Sequence, residues 1–179
     1  MNIRLSVFIA TSLDGYIARL NGKLDWLEMN KEQRKDEDFG YQNFISSVDC
    51  IVMGRNTFEK VVSFPEWPYP NKRVIVLSRR WKKVPDQFAE LAELYSGKVE
   101  LLTVELQSQG VRHVYVDGGL AIQSFIQQGL LTDIIITQLP ILLGNGIPLF
   151  GNTNQDIKLE LDHVKSFDSG FVQSRYNFL

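Results

Sequence analysis

A short apolar run that ends in glycine and opens straight into a helix constrains this chain most. Residues 51–59 read Ile-Val-Met-Gly-Arg-Asn-Thr-Phe-Glu, a strand running through Gly54 into a helical pattern. Residues 111–119 read Val-Arg-His-Val-Tyr-Val-Asp-Gly-Gly, an alternating strand closed by two glycines. Residues 120–129 then read as a helix stopped by Gly129. A third apolar strand over 73–77 runs into Ser78-Arg79-Arg80. Gly-Gly alone is an ordinary turn signal. Three such strand ends in one chain point instead to a parallel sheet that holds a dinucleotide at the C-terminal ends of its strands. Helix N-termini attract phosphate, and Arg55 adds a fixed cation suited to a phosphate monoester. Asn56 is the expected N-cap of a helix over 56–62, with Glu59 completing a capping box. The fingerprint is not that of a Rossmann fold, because no G-x-G-x-x-G occurs.

The rest of the chain alternates strands and helices. Strands are expected over 4–11, 50–53, 92–95 and 131–139, the last an almost continuous apolar run suited to burial on both faces. Helical spacing covers about 38–48, and Ser96 is placed to cap a helix running to Gln109. Residues 17–35 read as a long loop, and 31–38 as a charged, solvated helix start. Residues 86–91 suggest a helical turn, and 64–70 a proline-broken loop. Residues 158–167 and 171–178 alternate around Asp168-Ser-Gly170 and form a C-terminal hairpin. The fold class is therefore α/β, one domain with a mixed sheet.

Composition narrows function by exclusion. A length of 179 residues suits one domain with a substantial core. A net charge of −2 advertises neither nucleic acid nor an anionic membrane. Two histidines and one cysteine do not supply a standard zinc site, so no metal is expected, and Cys50 in its apolar context reads as a buried thiol. The opening residues are too short an apolar run for a signal peptide, and no stretch is long enough to span a bilayer, so a cytoplasmic location is the default.

Six motifs in order give the chain a close resemblance to a family. They are Ser12-Leu-Asp-Gly-Tyr-Ile-Ala18, Asp49-x-Ile-Val-Met-Gly-Arg-x-Thr57 with Glu59, Leu77-Ser-Arg79, Val116-x-Gly-Gly119, Gln128-Gly-Leu-Leu-Thr-Asp133 and Pro140-x-Leu-Leu-Gly-x-Gly-Ile-Pro-Leu-Phe150. The chain resembles the dihydrofolate-reductase-like superfamily. Within it, the likeness is to standalone relatives of the riboflavin-biosynthesis reductase domain, the C-terminal half of bifunctional deaminase-reductases. The resemblance implies a mixed, mainly parallel eight-stranded sheet flanked by helices, with NADPH across the strand ends.

By the same resemblance, Gly54, Arg55 and Thr57 contact the cofactor, and Arg55, Ser78 and Arg79 approach its 2′-phosphate. Gly118, Gly119 and Leu120 sit by the pyrophosphate and nicotinamide, and in dihydrofolate reductases such a glycine pair is joined by a cis peptide. The implied reaction is hydride transfer to a carbon–nitrogen double bond or ring-opened sugar of a ribosylaminopyrimidine or related heterocycle. Asp38, sixteen residues before Gly54, is the implied proton relay. Ser12 and Asp14 line the implied substrate loop, with Asp14 a second catalytic candidate, and Trp26 is a candidate stacking ring. Gln42 stands where folate enzymes want an apolar ring, which disfavours folate. No zinc-deaminase signature is present, so the partner half of the bifunctional enzymes is missing. A dihydrofolate reductase and a nucleotide-binding protein without turnover are the alternatives. Relatives pair through their sheets, so a homodimer using 131–139 and the C-terminal hairpin is expected.

Overall fold

A computed structural model describes residues 2–29 and 37–179. The charged run proposed as a solvated helix start falls mostly outside the described residues. One eight-stranded sheet organises the chain, with strand order β5-β4-β3-β6-β1-β7-β10-β9. The strands are β1 (Arg4–Ser12), β3 (Cys50–Gly54), β4 (Arg73–Leu77), β5 (Glu93–Tyr95), β6 (His113–Asp117), β7 (Asp133–Leu139), β9 (Leu159–Ser166) and β10 (Val172–Phe178). The first six in sequence are mutually parallel, and the β9–β10 hairpin joins β7 antiparallel. This is the mixed, mainly parallel sheet that the motifs implied. A small second sheet pairs β2 (Tyr16–Ala18) with β8 (Ile147–Pro148).

Strand alternation builds two apolar layers. Val52, Val114 and Val116 face α3 (Val99–Ser108) and α4 (Gly119–Gln127), which insert Leu102, Leu106, Ile122 and the fully buried Phe125. Ile51, Met53, Val76 and Tyr115 face the other way. They pack on Phe44 of α1 (Tyr41–Ser46) and Phe58 of α2 (Arg55–Val61). Each fully buried ring contributes roughly 2 kcal/mol by removal from water. Around Phe58, edge-on contacts with Trp67, Trp81 and Phe88 pin the loops 64–70 and 78–88 to the sheet.

Several boundaries differ from the sequence reading for local reasons. The helix expected over 38–48 begins only at Tyr41, because Phe39 and Gly40 both have positive φ, 56° and 83°. Gly54, not Asn56, is the N-cap of α2, so Asn56 is its second residue and no capping box forms. Helix α3 starts after Lys98, so Ser96 caps nothing. Strand β7 starts at Asp133, and Ile135 and Ile136 are only half-buried, so it is not closed on both faces. Gly118 and Gly119 are joined in trans, since the described residues contain no cis peptide bond.

Candidate functional site

The C-terminal ends of β3, β4 and β6 converge on one open cleft of about 1550 Å³. Parallel strands bring their last residues to the same side of the sheet, so Gly54, Ser78 and Gly118 arrive together although they lie far apart in sequence. The cleft is lined by Gly54, Arg55, Thr57, Ser78, Arg79, Gly118, Gly119 and Leu120, all eight of the residues implied for cofactor binding.

Their local geometry explains the residue types. Gly118 sits at φ 87° and ψ 138°, a conformation that residues with a Cβ rarely adopt. A Cβ built there would lie 2.0 Å from the hydroxyl of Thr57, so Thr57 is packed onto the bare backbone of the β6–α4 turn. At Gly54, by contrast, a Cβ would meet no protein atom within 4 Å. That backbone is open to the cleft rather than crowded by the fold, as a ligand phosphate requires. Ser78 receives the backbone N–H groups of Arg80 and Trp81 on its hydroxyl, which fixes the turn that displays Arg79 and Arg80. Both arginines are exposed, and neither has an acidic hydrogen-bond partner among the described residues. Arg55 differs: its guanidinium donates to Glu59 at 2.7 Å, one helical turn on. Leu120 is 70% exposed at the start of α4, an apolar surface on the cleft wall.

The cleft also contains a carboxylate that sequence reasoning passed over. Asp117 ends β6 on the same face as Tyr115, toward α1, and its Oδ1 accepts the N–H of Gly118 at 2.8 Å. Burial pushes its pKa up to about 6, against the pull of the Gly118 N–H. Tyr115 and Tyr69 are themselves buried and line the cleft beside it. The Tyr115 hydroxyl donates its one proton to the carbonyl of Phe8 at 2.9 Å. Toward Asp117 it is then left with acceptor capacity, which suits a protonated carboxyl. The sequence signal was the unassigned position in Val116-x-Gly-Gly119, together with the alternation that puts positions 115 and 117 on one face.

The four candidates for the substrate side do not line this cleft. Ser12 is fully buried and donates to Asp14 at 2.6 Å. Asp14 in turn accepts the N–H groups of Leu143 and Gly144 at 3.1 and 2.8 Å. Its carboxyl is held below the usual range, first by Ser12 and then by those amides. It therefore clasps the 142–146 loop as a carboxylate. Asp38 stands in an exposed turn ahead of α1 and accepts the N–H groups of Gln42 and Gly40, both at 2.9 Å. Those bonds lower its pKa and tie Asp38 to the turn ahead of α1, outside the cleft, where Gly40 is the N-cap. Trp26 also stands outside the cleft. It lies on a short 3₁₀ turn (Asp25–Glu28), 3% exposed and packed with Leu139 and Phe171 in the core.

The RibD C-terminal domain model matches residues 4–173. YwjB of Bacillus subtilis, an uncharacterized protein, is 32% identical over 98% of each chain. A putative riboflavin biosynthesis protein from Shewanella sp. PV-4 superposes with a TM-score of 0.91 at 38% identity, covering 99% of both chains. A Thermotoga maritima diaminohydroxyphosphoribosylaminopyrimidine deaminase/5-amino-6-(5-phosphoribosylamino)uracil reductase shares the fold with a TM-score of 0.75 at 16% identity. This chain covers 57% of its length. With a matching model over nearly the whole sequence and the strand-end glycines in place, the chain belongs to the RibD C-terminal domain family.

Proposed function

We propose that this protein is an NADPH-dependent reductase that transfers hydride to a ribosylaminopyrimidine or a related heterocycle, as 5-amino-6-(5-phosphoribosylamino)uracil reductases do. The observation that carries this reading is the convergence of Gly54, Ser78 and Gly118 on one cleft, with Arg55, Arg79 and Arg80 and a half-buried acid, Asp117, in its lining. The residues present fit the cofactor. The bare backbone at Gly54 admits a phosphate, while Ser78, Arg79 and Arg55 suit the 2′-phosphate and Leu120 the nicotinamide face.

NADPH bound there supplies the hydride. The chain's own part is to hold the reactants, exclude water and manage one proton. Asp117 is the group we assign to that proton, because it is half-buried in the cleft wall beside Gly118, with a raised pKa. In this reading Asp14 acts indirectly, by fixing the 142–146 loop beside the substrate. The exposed apolar residues of edge strand β9, Leu159, Leu161 and Val164, support pairing of two copies through that edge. A cytoplasmic location goes with the cofactor; no helix among the described residues is long and apolar enough to cross a membrane.

The deciding experiment is a fluorescence titration with NADPH and with NADH, on the native protein and on Arg79→Ala. Tight NADPH binding, weak NADH binding and loss of that preference in the variant are expected. Equal affinity for both cofactors in the native protein would overturn the 2′-phosphate assignment, and binding of neither would overturn the reductase reading.

A further inference from the structure

The sheet splits at the cleft. Strand β6 stays paired with β3 to its last residue, Asp117, which lies opposite Met53. Its ladder with β1 stops two residues earlier, at Tyr115 opposite Ser6, while β1 keeps pairing with β7 as far as Ser12. Beyond that point Phe8, Ile9 and Ala10 on β1 line the cleft together with Asp117 and Gly118 at the end of β6. In this register Arg4 stands opposite His113, and its N–H donates to the carbonyl of Arg112 at 2.8 Å. Four residues on, an unbroken ladder would set Phe8 opposite Asp117 and give the Phe8 carbonyl the N–H of Gly118. Both halves of that absent rung are satisfied by side chains instead, and both side chains come from β6. The Tyr115 hydroxyl donates to the Phe8 carbonyl at 2.9 Å, and the Gly118 N–H donates to Oδ1 of Asp117 at 2.8 Å. Tyr115 is buried, and its ring and that of Phe8 both lie against Phe44, with centroids 5.1 and 5.0 Å away.

We propose that Tyr115 is a positioning residue: its hydroxyl, bonded to the Phe8 carbonyl in place of a backbone rung, holds β1 and β6 apart where the nicotinamide end of the cofactor enters. The identity of that ligand rests on the reductase reading; the strut itself rests on the ladder and the two hydrogen bonds. Distances decide why a strut is needed. Laddered strands lie about 4.8 Å apart. A ring seated between two backbones needs about 7 Å, twice a van der Waals contact. A completed rung between Phe8 and Gly118 would therefore shut out a ring and cover the bare backbone of Gly118. With the Phe8 carbonyl occupied by Tyr115, and the Gly118 N–H by Asp117, neither partner of the rung is available to close it. Phenylalanine at position 115 would fill nearly the same space but leave the Phe8 carbonyl to find another donor. Tyr115 thus acts through the backbone of Phe8 and Gly118.

The test uses Tyr115→Phe, which keeps the ring against Phe44 and removes the hydroxyl alone. Titrations of the native protein and the variant compare NADPH with 2′,5′-ADP, which carries the adenosine and its 2′-phosphate but no nicotinamide. In the variant NADPH should bind at least fivefold more weakly, while 2′,5′-ADP stays within twofold of native. A general loosening of the fold would weaken both alike; that outcome, or unchanged NADPH binding, overturns the proposal. A second readout needs no ligand. A crystal structure of Tyr115→Phe should show the β1–β6 ladder extended, with the Phe8 carbonyl taking the N–H of Gly118. Strands that stay as far apart there as in the native protein overturn the proposal. If the native protein binds neither NADPH nor 2′,5′-ADP, the reductase reading fails on its own terms. The strut is then judged on the crystal structure: an extended ladder supports it, and an unchanged gap overturns it.

Discussion

The two ends of the sheet use the same kinds of residue in opposite ways. At the N-terminal ends of the parallel strands, polar groups close on one another. Asp133 accepts both Nε and Nη2 of Arg4 at 2.8 Å and the hydroxyl of Ser6 at 2.7 Å. His113 lies 2.9 Å from the same Ser6 hydroxyl and 3.2 Å from that of Ser47. At the C-terminal ends, arginines point to solvent, two glycines leave backbone bare, and Asp117 keeps a raised pKa. One end pairs most of its polar groups and stabilises the fold, with Arg175 Nε held by charge alone, 3.4 Å from the Asp133 and Asp162 carboxylates. The other is left unfinished by the protein alone, which is the mark of a binding site. Charge and burial do not separate the two ends; completeness of pairing does.

The largest effect expected of breaking the closed end is at Asp133. Asp133→Ala strands Arg4 and removes the acceptor of Ser6, for a loss of about 3 kcal/mol. Urea denaturation should show that loss, while NADPH affinity, measured where the variant is still folded, stays within twofold of native. A parallel loss of affinity would mean that the two ends are coupled and that the contrast drawn above is too sharp. Next in size is Gly118→Ala at the open end. The added methyl meets the Thr57 hydroxyl, and the backbone is strained at φ 87°, which together cost about 2 kcal/mol. Here stability and NADPH affinity should fall together, the latter at least tenfold. Pairing it with Thr57→Ala should restore stability in part, because the clash goes and the strain stays.

The open end was also the more legible one in sequence, and the reason is physical. Glycine at a strand end has few other uses, so Gly54 and Gly118-Gly119 marked the cleft directly, and parallel topology gathered them. Asp14 and Asp38 were legible as acids but not as acids already occupied. Their partners, the amides of Leu143, Gly144, Gly40 and Gln42, carry no sequence signature, because every residue but proline has such an amide. Asp117 was hidden for the converse reason. Its surroundings in the cleft wall include Tyr69, which chain topology alone delivers. Trp26 could not be told from a stacking ring, since a buried and a displayed indole follow from the same local pattern.

A pH titration sharpens the contrast further. His113 is buried, its Nε2 2.9 Å from the Ser6 hydroxyl and its Nδ1 3.1 Å from the Ser47 carbonyl and 3.2 Å from the Ser47 hydroxyl. Burial and then the charge of Arg4 lower its pKa below the ordinary 6.5. A base with a depressed folded pKa gives stability that is present above its unfolded value and is lost as pH falls below about 6.5. Native stability should therefore decline from pH 7 toward pH 5, and His113→Gln should flatten that slope. Asp117 works in the opposite direction over the same range: its raised pKa disfavours the folded state as pH rises through 6. Asp117→Asn should therefore steepen the decline toward low pH, and a native stability that instead rises as pH falls, and loses that rise in Asp117→Asn, would place the pH dependence at the open end.

The smallest effect is the most specific to the cofactor. Arg55 lines the cleft but is bound to Glu59, and both side chains are partly exposed, so the pair is weak, about 0.5 kcal/mol. It is the one place where the open end imitates the closed one. Glu59→Gln removes the competing charge and frees the guanidinium for a phosphate. NADPH should bind about two- to threefold more tightly, with NADH unchanged, since only the former carries the 2′-phosphate that Arg55 would meet. The gain should vanish in the double variant Arg55→Ala, Glu59→Gln. Equal tightening of both cofactors would mean that Glu59 acts through the general field of the cleft rather than by occupying Arg55.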